Sequence, residues 1–286
     1  MKTLFLSKYK KDFLKAGYVI VKNFLKKKDC IKACNWLQKK KYYLANSWTE
    51  QEPMVPLAVY FAPHNQNNPI SKLAKTNRVL DFASHLIGEK VYIWSSKVNL
   101  KAAWCGTSEY YHQDTVYWKD RGYKKDSMLS AMIVLEKHDL SNSALHVFPG
   151  SHKLGFIKHV PFFNINGLAK YMIPPKKLDN LKKKFGLKFI KAEPGDIVFF
   201  HASIVHGSSH NISGDGRMII LSQLNSINNL PKNVTSSARN FNLFRARSEL
   251  IEAKRKFIWF KKKYRDQLIN KKLTFSAPIV KQEFKD

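Results

Sequence analysis

PGDIVFFHASIVHGSSHNISGDGRMIILSQL, residues 194–224, holds two short runs of β-branched and aromatic residues, at 197–201 and 218–224. Turn chemistry opens each of them: Pro194-Gly195-Asp196 before the first and Ser213-Gly214-Asp215-Gly216 before the second. Neither run is long enough to be a helix that buries itself, and both are spaced as strands of one sheet would be.

Further runs of the same kind precede this stretch at 91–94, 128–135, 145–148 and 187–190, with Pro149-Gly150 as another turn. Many short strands at close intervals imply a sandwich or barrel of the jelly-roll type. The first third reads differently. Apolar residues fall at helical spacing over 7–16 and 27–41, with a β-branched strand, Tyr18-Val19-Ile20-Val21, between them. Residues 69–87 read as one amphipathic helix, with Pro69 at its start and Gly88 at its end. The basic, Pro-, Phe- and Asn-containing stretch 151–186 reads as an insertion covering one barrel mouth. A last helix at about 247–268, bearing Leu250, Ile251, Phe257, Ile258 and Tyr264, is expected to pack on the outside. The chain of 286 residues, 44% hydrophobic, can bury a full core. The expectation is one mainly-β α+β domain over 1–286. It comprises a helical part at about 1–88, a double-stranded β-helix (jelly-roll, cupin-like) core at about 89–226, and a helical extension at about 240–286.

The formal charge of +29 points to nucleic acid, an anionic membrane surface or a negatively charged substrate as partners. Yet only 8 of the 50 basic residues are arginine, and lysines recur along the chain, as in Lys26-Lys27-Lys28, Lys182-Lys183-Lys184 and Lys261-Lys262-Lys263. Diffuse lysine reads first as surface composition and second as a mild preference for an anionic ligand. Cys30, Cys34 and Cys105 are odd in number and lack C-x-x-C spacing, which suits free thiols in a reducing cytoplasm. No stretch approaches the ~20 apolar residues that span a bilayer, and no signal-peptide core is evident, so membrane insertion is not expected.

In an extended chain residues two apart share a face, so His112-Gln113-Asp114 presets an imidazole and a carboxylate together. His206, just beyond the strand at 197–201, is placed to add a third ligand. Two histidines and a carboxylate on one side of an iron ion leave positions open for an oxo acid and O2. Arg217 opens the next strand. In a chain this poor in arginine, its planar fork suits the far carboxylate of such an acid, and Ser208 shares the face of His206.

The combination resembles the phytanoyl-CoA dioxygenase-like branch of the Fe(II)/2-oxoglutarate oxygenases. The likeness rests on His112-Gln113-Asp114 with Tyr117-Trp118, Val147-Phe148-Pro149-Gly150-Ser151-His152-Lys153 with Gly155, Pro194-Gly195-Asp196-Ile197-Val198-Phe199-Phe200, His206-Gly207-Ser208 with Asn211, and Arg217. It covers about residues 90–225. Asn142-Ser143-Ala144 departs from the Asn-Gly that the family often carries there. The resemblance implies Fe(II) bound by His112, Asp114 and His206, and 2-oxoglutarate bound by Ser208 and Arg217, with Lys97 or Lys101 as loose candidates to assist. It also implies O2 as co-substrate and hydroxylation of a small-molecule substrate. Asp114 stands where related halogenases carry glycine or alanine, which favours hydroxylation.

Gln113, Tyr117, Trp118 and His210 are the candidates for a substrate pocket, while His201 is assigned to the core and His152 to holding its turn. Two other classes of function remain in play. One is a nucleic-acid-associated protein, suggested by residues 254–265, KRKFIWFKKKYR; the other is a barrel that binds metal without catalysis. The spacing names neither the substrate nor the oligomeric state.

Overall fold

The computed structural model describes residues 2–48, 59–61, 63–65, 67–104, 108–118, 123–163 and 169–229. The expected helix at 247–268 and the basic stretch 254–265 lie outside the described residues.

The chain begins with α1 (Lys2–Ala16), β1 (Tyr18–Val21) and α2 (Lys27–Trp48), then β2 (Val59–Phe61), α3 (Pro69–Ala74) and α4 (Asn77–Ile87). The strand region follows as β3 (Val91–Lys101), β4 (Glu109–His112), β5 (Met128–Val134) and β6 (Leu145–Val147). Next come β7 (Val160–Phe163), β8 (Ala169–Met172) and α5 (Pro175–Phe185), and last β9 (Lys188–Phe189), β10 (Ile197–His201), β11 (His206–Ser208) and β12 (Arg217–Ser226). A six-stranded sheet runs β1-β10-β5-β12-β3-β2 and a four-stranded sheet runs β4-β11-β6-β9. Neighbours in both are antiparallel.

The two sheets close on each other over Met132, Val134, Val198, Phe200, Ile219 and Leu221 from the larger one and Leu145 and Val147 from the smaller. On its other face the larger sheet turns Leu129, Ala131, Ile133, Ile197, Phe199 and Ile220 toward the helices. Strand alternation assigns every second residue to each face. The helices supply matching apolar stripes: α4 buries Val79, Phe82, Ala83 and Leu86, at a spacing that keeps all four on one side. Phe82 stacks on Phe199 with centroids 4.9 Å apart.

The helix expected over 69–87 is two helices. Asn68 caps the first through Ser71 N at 2.8 Å, and Thr76, with φ −58° and ψ 121°, leaves helical geometry before the second begins. The amphipathic spacing continues across the break, which is why the sequence pattern misses it. Gly88 ends the second helix in the left-handed conformation.

Asp196 pins the turn before β10 to the residues after β1. It accepts hydrogen bonds from Lys22 Nζ at 2.7 Å, Asn23 N at 2.9 Å and Glu193 N at 2.8 Å. Gly195 beside it has φ +96°, and a Cβ there would lie 2.5 Å from the Leu25 carbonyl oxygen. The insertion at 151–186 contains the β7–β8 ribbon and α5. It lies along β4, bonded through Ile173 N to Tyr111 O at 2.8 Å, and Tyr171 meets Tyr117 edge-on at 5.6 Å. It thus lines the wall that carries His112. Among the described residues, no helix is long and apolar enough to cross a membrane.

Candidate metal centre

Strands β4 and β11 are short, and their register sets His112 directly opposite His206. Gly207 permits this pairing, because a Cβ there would sit 2.8 Å from the Glu109 carbonyl oxygen. The two imidazole centroids are 4.4 Å apart. After His112 the chain stays extended for one residue and then turns into a short 3-10 segment, Asp114–Tyr117, which brings Asp114 under both rings. Nε2 of each histidine lies 3.7 Å from Asp114 Oδ1. The three ligand atoms fall within 4.8 Å of one another.

Each imidazole is oriented from behind. Nδ1 of His112 faces the Tyr110 carbonyl at 2.7 Å, and Nδ1 of His206 faces the Ile204 carbonyl at 3.0 Å. That pattern assigns the proton to Nδ1 and leaves the Nε2 lone pair toward the centre, as metal-binding histidines require. Ser130 Oγ donates to Asp114 Oδ2 at 2.8 Å, leaving Oδ1 for an ion. Burial acts to raise the Asp114 carboxyl, but His206, His112 and the Ser130 hydroxyl outweigh it and hold the group below the usual carboxylate range. Burial, with His112 beside it, pushes His206 down to about 4 against the opposing pull of Asp114. An ionised carboxylate and neutral imidazoles are the protonation states that bind a cation.

A cavity of about 300 Å³ opens from this centre between the sheets. Met132, Leu145, Phe200, Ile219 and Leu221 give it dry walls, and Arg217 lies at its far end. Arg217 is buried and donates to the Ser143 carbonyl, while its Nε has no hydrogen-bond partner among the described residues. Burial brings the guanidinium down to about 10, so it is still a cation at neutral pH. Across the β12–β3 ladder it pairs with Lys101. Lys101 Nζ donates to Ser143 Oγ at 2.6 Å, Ser208 Oγ at 2.7 Å and the Ser209 carbonyl at 2.8 Å. His146 nearby is pushed down to about 4, by burial first and then by Lys101 and Arg217.

The structure brings together His112, Asp114, His206, Ser208 and Arg217, with Tyr117 and Trp118 in the cavity wall. Tyr117 packs edge-on to His112 at 5.9 Å. Two expected pocket residues are elsewhere. Gln113 alternates to the opposite face from its neighbours, where its amide bonds to the carbonyls of Gly155 and Ser203 and accepts from Ile157 N. His210 has left β11 and is exposed, outside the cavity lining. His201 packs against Phe13 and His152 on the helix side. Sequence reasoning did not find Ser130, Trp94, Asn99, Glu109 or Gln223, all of which belong to the site. Ser130 and Gln223 are partners in the β5–β12 ladder, a register that only pairing reveals.

Comparisons with known proteins follow the same lines. L-proline trans-4-hydroxylase of Streptomyces griseoviridis is 27% identical over 179 residues, covering 59% of this chain and 67% of that protein. Ectoine dioxygenase of Sphingopyxis alaskensis is 31% identical over 160 residues, covering 54% of this chain and 52% of that protein, so the match spans about half of its length. Among solved structures, EctD from S. alaskensis with 2-oxoglutarate and 5-hydroxyectoine superposes with a TM-score of 0.62 at 23% identity, covering 79% of this chain and 78% of that one. The non-heme alpha ketoglutarate dependent epimerase SnoN from nogalamycin biosynthesis does so with a TM-score of 0.59 at 16% identity, covering 82% and 88%. These likenesses identify the jelly-roll fold. The model of the phytanoyl-CoA dioxygenase (PhyH) family matches residues 13–219, and the chain belongs to that family.

Proposed function

We propose that the protein is an Fe(II)- and 2-oxoglutarate-dependent dioxygenase that hydroxylates a C–H bond of a small anionic metabolite, releasing succinate and CO2. The observation that carries this reading is the pairing of the His112, Asp114 and His206 ligand atoms with a buried arginine, its Nε unpartnered among the described residues, in one cavity. The donor set of two imidazoles and one carboxylate fits iron(II) and leaves positions open.

In this reading His112, Asp114 and His206 hold the iron. When bound, the metal supplies oxidation of the substrate coupled to decarboxylation of 2-oxoglutarate with O2. The chain's own residues position and exclude. Ser130 and the carbonyls of Tyr110 and Ile204 keep the ligands aimed. Arg217 takes the distal carboxylate of 2-oxoglutarate through its fork, with Ser208 and Lys101 beside it. Ile219, Leu221, Met132 and Phe200 keep water from the space between the metal and Arg217. Asp114 occupies the position that a halide would need, which supports hydroxylation. Buried free thiols at Cys30 and Cys34 support a cytoplasmic location.

An anaerobic titration with Fe(II) and 2-oxoglutarate tests the reading. A weak visible charge-transfer band is expected in the wild type, absent in His206→Ala and requiring much more 2-oxoglutarate in Arg217→Ala. Iron binding without a band would remove 2-oxoglutarate from the site.

A further inference from the structure

Resting on that reading, we propose that the substrate is a compact monocarboxylate carrying a hydrogen-bond donor, as an amino acid or hydroxy acid does, and that Lys97 receives its carboxylate.

The inner face of β3 and β12 forms a ladder of cross-strand pairs: Arg217 with Lys101, Ile219 with Asn99, Leu221 with Lys97, and Gln223 with Ser95. The metal lies toward the Gln223 end. Gln223 pairs with Ser130 across the β5–β12 ladder, and Ser130 holds Asp114. Lys97 is four residues from Lys101, about 13 Å along an extended strand. It lines the same cavity as His206 and Asp114. At the far end, Arg217 and Lys101 already serve one carboxylate of 2-oxoglutarate, and the metal takes the other. Lys97 is then left over. It is half-buried, lines the cavity, and makes no hydrogen bond or ion pair among the described residues.

Charge leads to the same place. Among the described residues that line the cavity, the cations Lys97 and Arg217 match the carboxylates Asp114 and Glu109, while Lys101 is bonded to Ser208 behind the wall. Iron(II) and dianionic 2-oxoglutarate cancel one another, and with Arg217 given to 2-oxoglutarate the Lys97 ammonium is the charge left for a substrate between apolar walls, where water screens poorly. A single substrate carboxylate neutralises it. A phosphate ester would overshoot.

The walls around Lys97 describe the rest of the molecule. Trp94 and Trp118 pack at 5.4 Å, tilted by 53°, and with Tyr117 give an aromatic side. Gln223, 9% exposed, lines the cavity with an amide that makes no hydrogen bond among the described residues, where it can meet an amine or a hydroxyl. A volume of about 300 Å³ shared with 2-oxoglutarate leaves room for a few carbons of substrate beside the metal.

The test is calorimetric binding to the full chain loaded with Zn(II) and 2-oxoglutarate. The probes are the protein amino acids, their hydroxy-acid analogues and unbranched monocarboxylates of about three to six carbons, each paired with its carboxamide. The expected result is that at least one carboxylate with an amino or hydroxyl group binds, and that its carboxamide binds roughly ten-fold or more weakly. Lys97→Met should cause a similar loss and Lys97→Arg should restore most of it, with 2-oxoglutarate affinity changed less than about two-fold in both. Equal binding of the carboxamide, no binding by any probe, or a Lys97→Met protein that instead loses 2-oxoglutarate would each overturn the proposal. Wild-type protein that binds Zn(II) but no 2-oxoglutarate would mark failure of the co-substrate reading. The carboxylate and carboxamide titrations of wild type and Lys97→Met, repeated on that Zn(II) protein, would still judge Lys97.

Discussion

The two faces of the six-stranded sheet are built from the same strands and behave as different materials. Toward the helices, Leu129, Ala131, Ile133, Phe199 and Ile220 pack into a continuous apolar cluster. Toward the second sheet, the alternate residues include Ser130, Asn99, Arg217 and Gln223. There Asn99 Oδ1 and Arg217 Nε have no hydrogen-bond partner among the described residues. Native interiors seldom leave buried polar atoms unpaired, since each costs about 1–3 kcal/mol. The outer face maximises stability, and the inner face holds groups whose partners are ligands.

Substitutions can break or sharpen that contrast. The largest effect belongs to His206→Ala, which should abolish metal-dependent turnover and lower metal affinity while leaving the far-ultraviolet circular dichroism spectrum unchanged. A folded His206→Ala protein that still turns over would place the chemistry elsewhere. On the outer face, Phe199→Ala should cost about 3–5 kcal/mol of unfolding free energy in urea titrations. Its remaining folded fraction should bind 2-oxoglutarate normally. Next is Arg217→Lys on the inner face, expected to weaken 2-oxoglutarate binding by about 2–3 kcal/mol, because an ammonium cannot reproduce the bidentate fork. Its melting temperature should stay within a few degrees of wild type.

Asp196 gives a pH-dependent version of the same contrast. Burial raises its carboxyl, but the Glu193 amide, Lys22 and the Asn23 amide together hold it below the usual carboxylate range. Its stabilising contribution is therefore complete above the unfolded carboxyl's range and is lost as pH falls through the lower, folded value. Wild type should lose unfolding free energy in acid faster than Asp196→Asn, which should begin about 1–2 kcal/mol less stable at neutral pH and vary less, as read from urea titrations across pH. The smallest effect has the opposite sign: Gln223→Leu should raise stability by about 1 kcal/mol, since it replaces an unpaired buried amide with an apolar group. A loss of stability there would show that the amide has a structural partner.

Much of this division is readable in the chain. Tyr18-Val19-Ile20-Val21 is a strand because four β-branched or aromatic residues in succession fit no surface helix, and β1 spans those four residues. His112 and Asp114, two apart, lie on one side, and the same alternation turns Gln113 away. That alternation should have excluded Gln113 from the pocket at the start. Ser130, Asn99 and Gln223 were not legible, because their place depends on which strands pair and in what register, and single-strand patterns carry no such information. The sequence could name Lys101 only as an alternative to Lys97, and it is the β3–β12 ladder that sets Lys101 beside Arg217. The break at Thr76 hid for a related reason, since one helical period runs through both halves.

The opposition of His112 and His206 across β4 and β11 has a consequence for how the chain matures. These strands are four and three residues long, and their pairing joins parts of the chain far apart in sequence. Closing such a loop costs entropy that so few backbone hydrogen bonds repay only in part. An ion that binds both imidazoles and Asp114 adds free energy only after that closure, so it acts as a rivet set through two overlapping plates once they are aligned. Metal loading is then a record that the smaller sheet has found its register, and a chain paired one residue out of step would carry no ion at all.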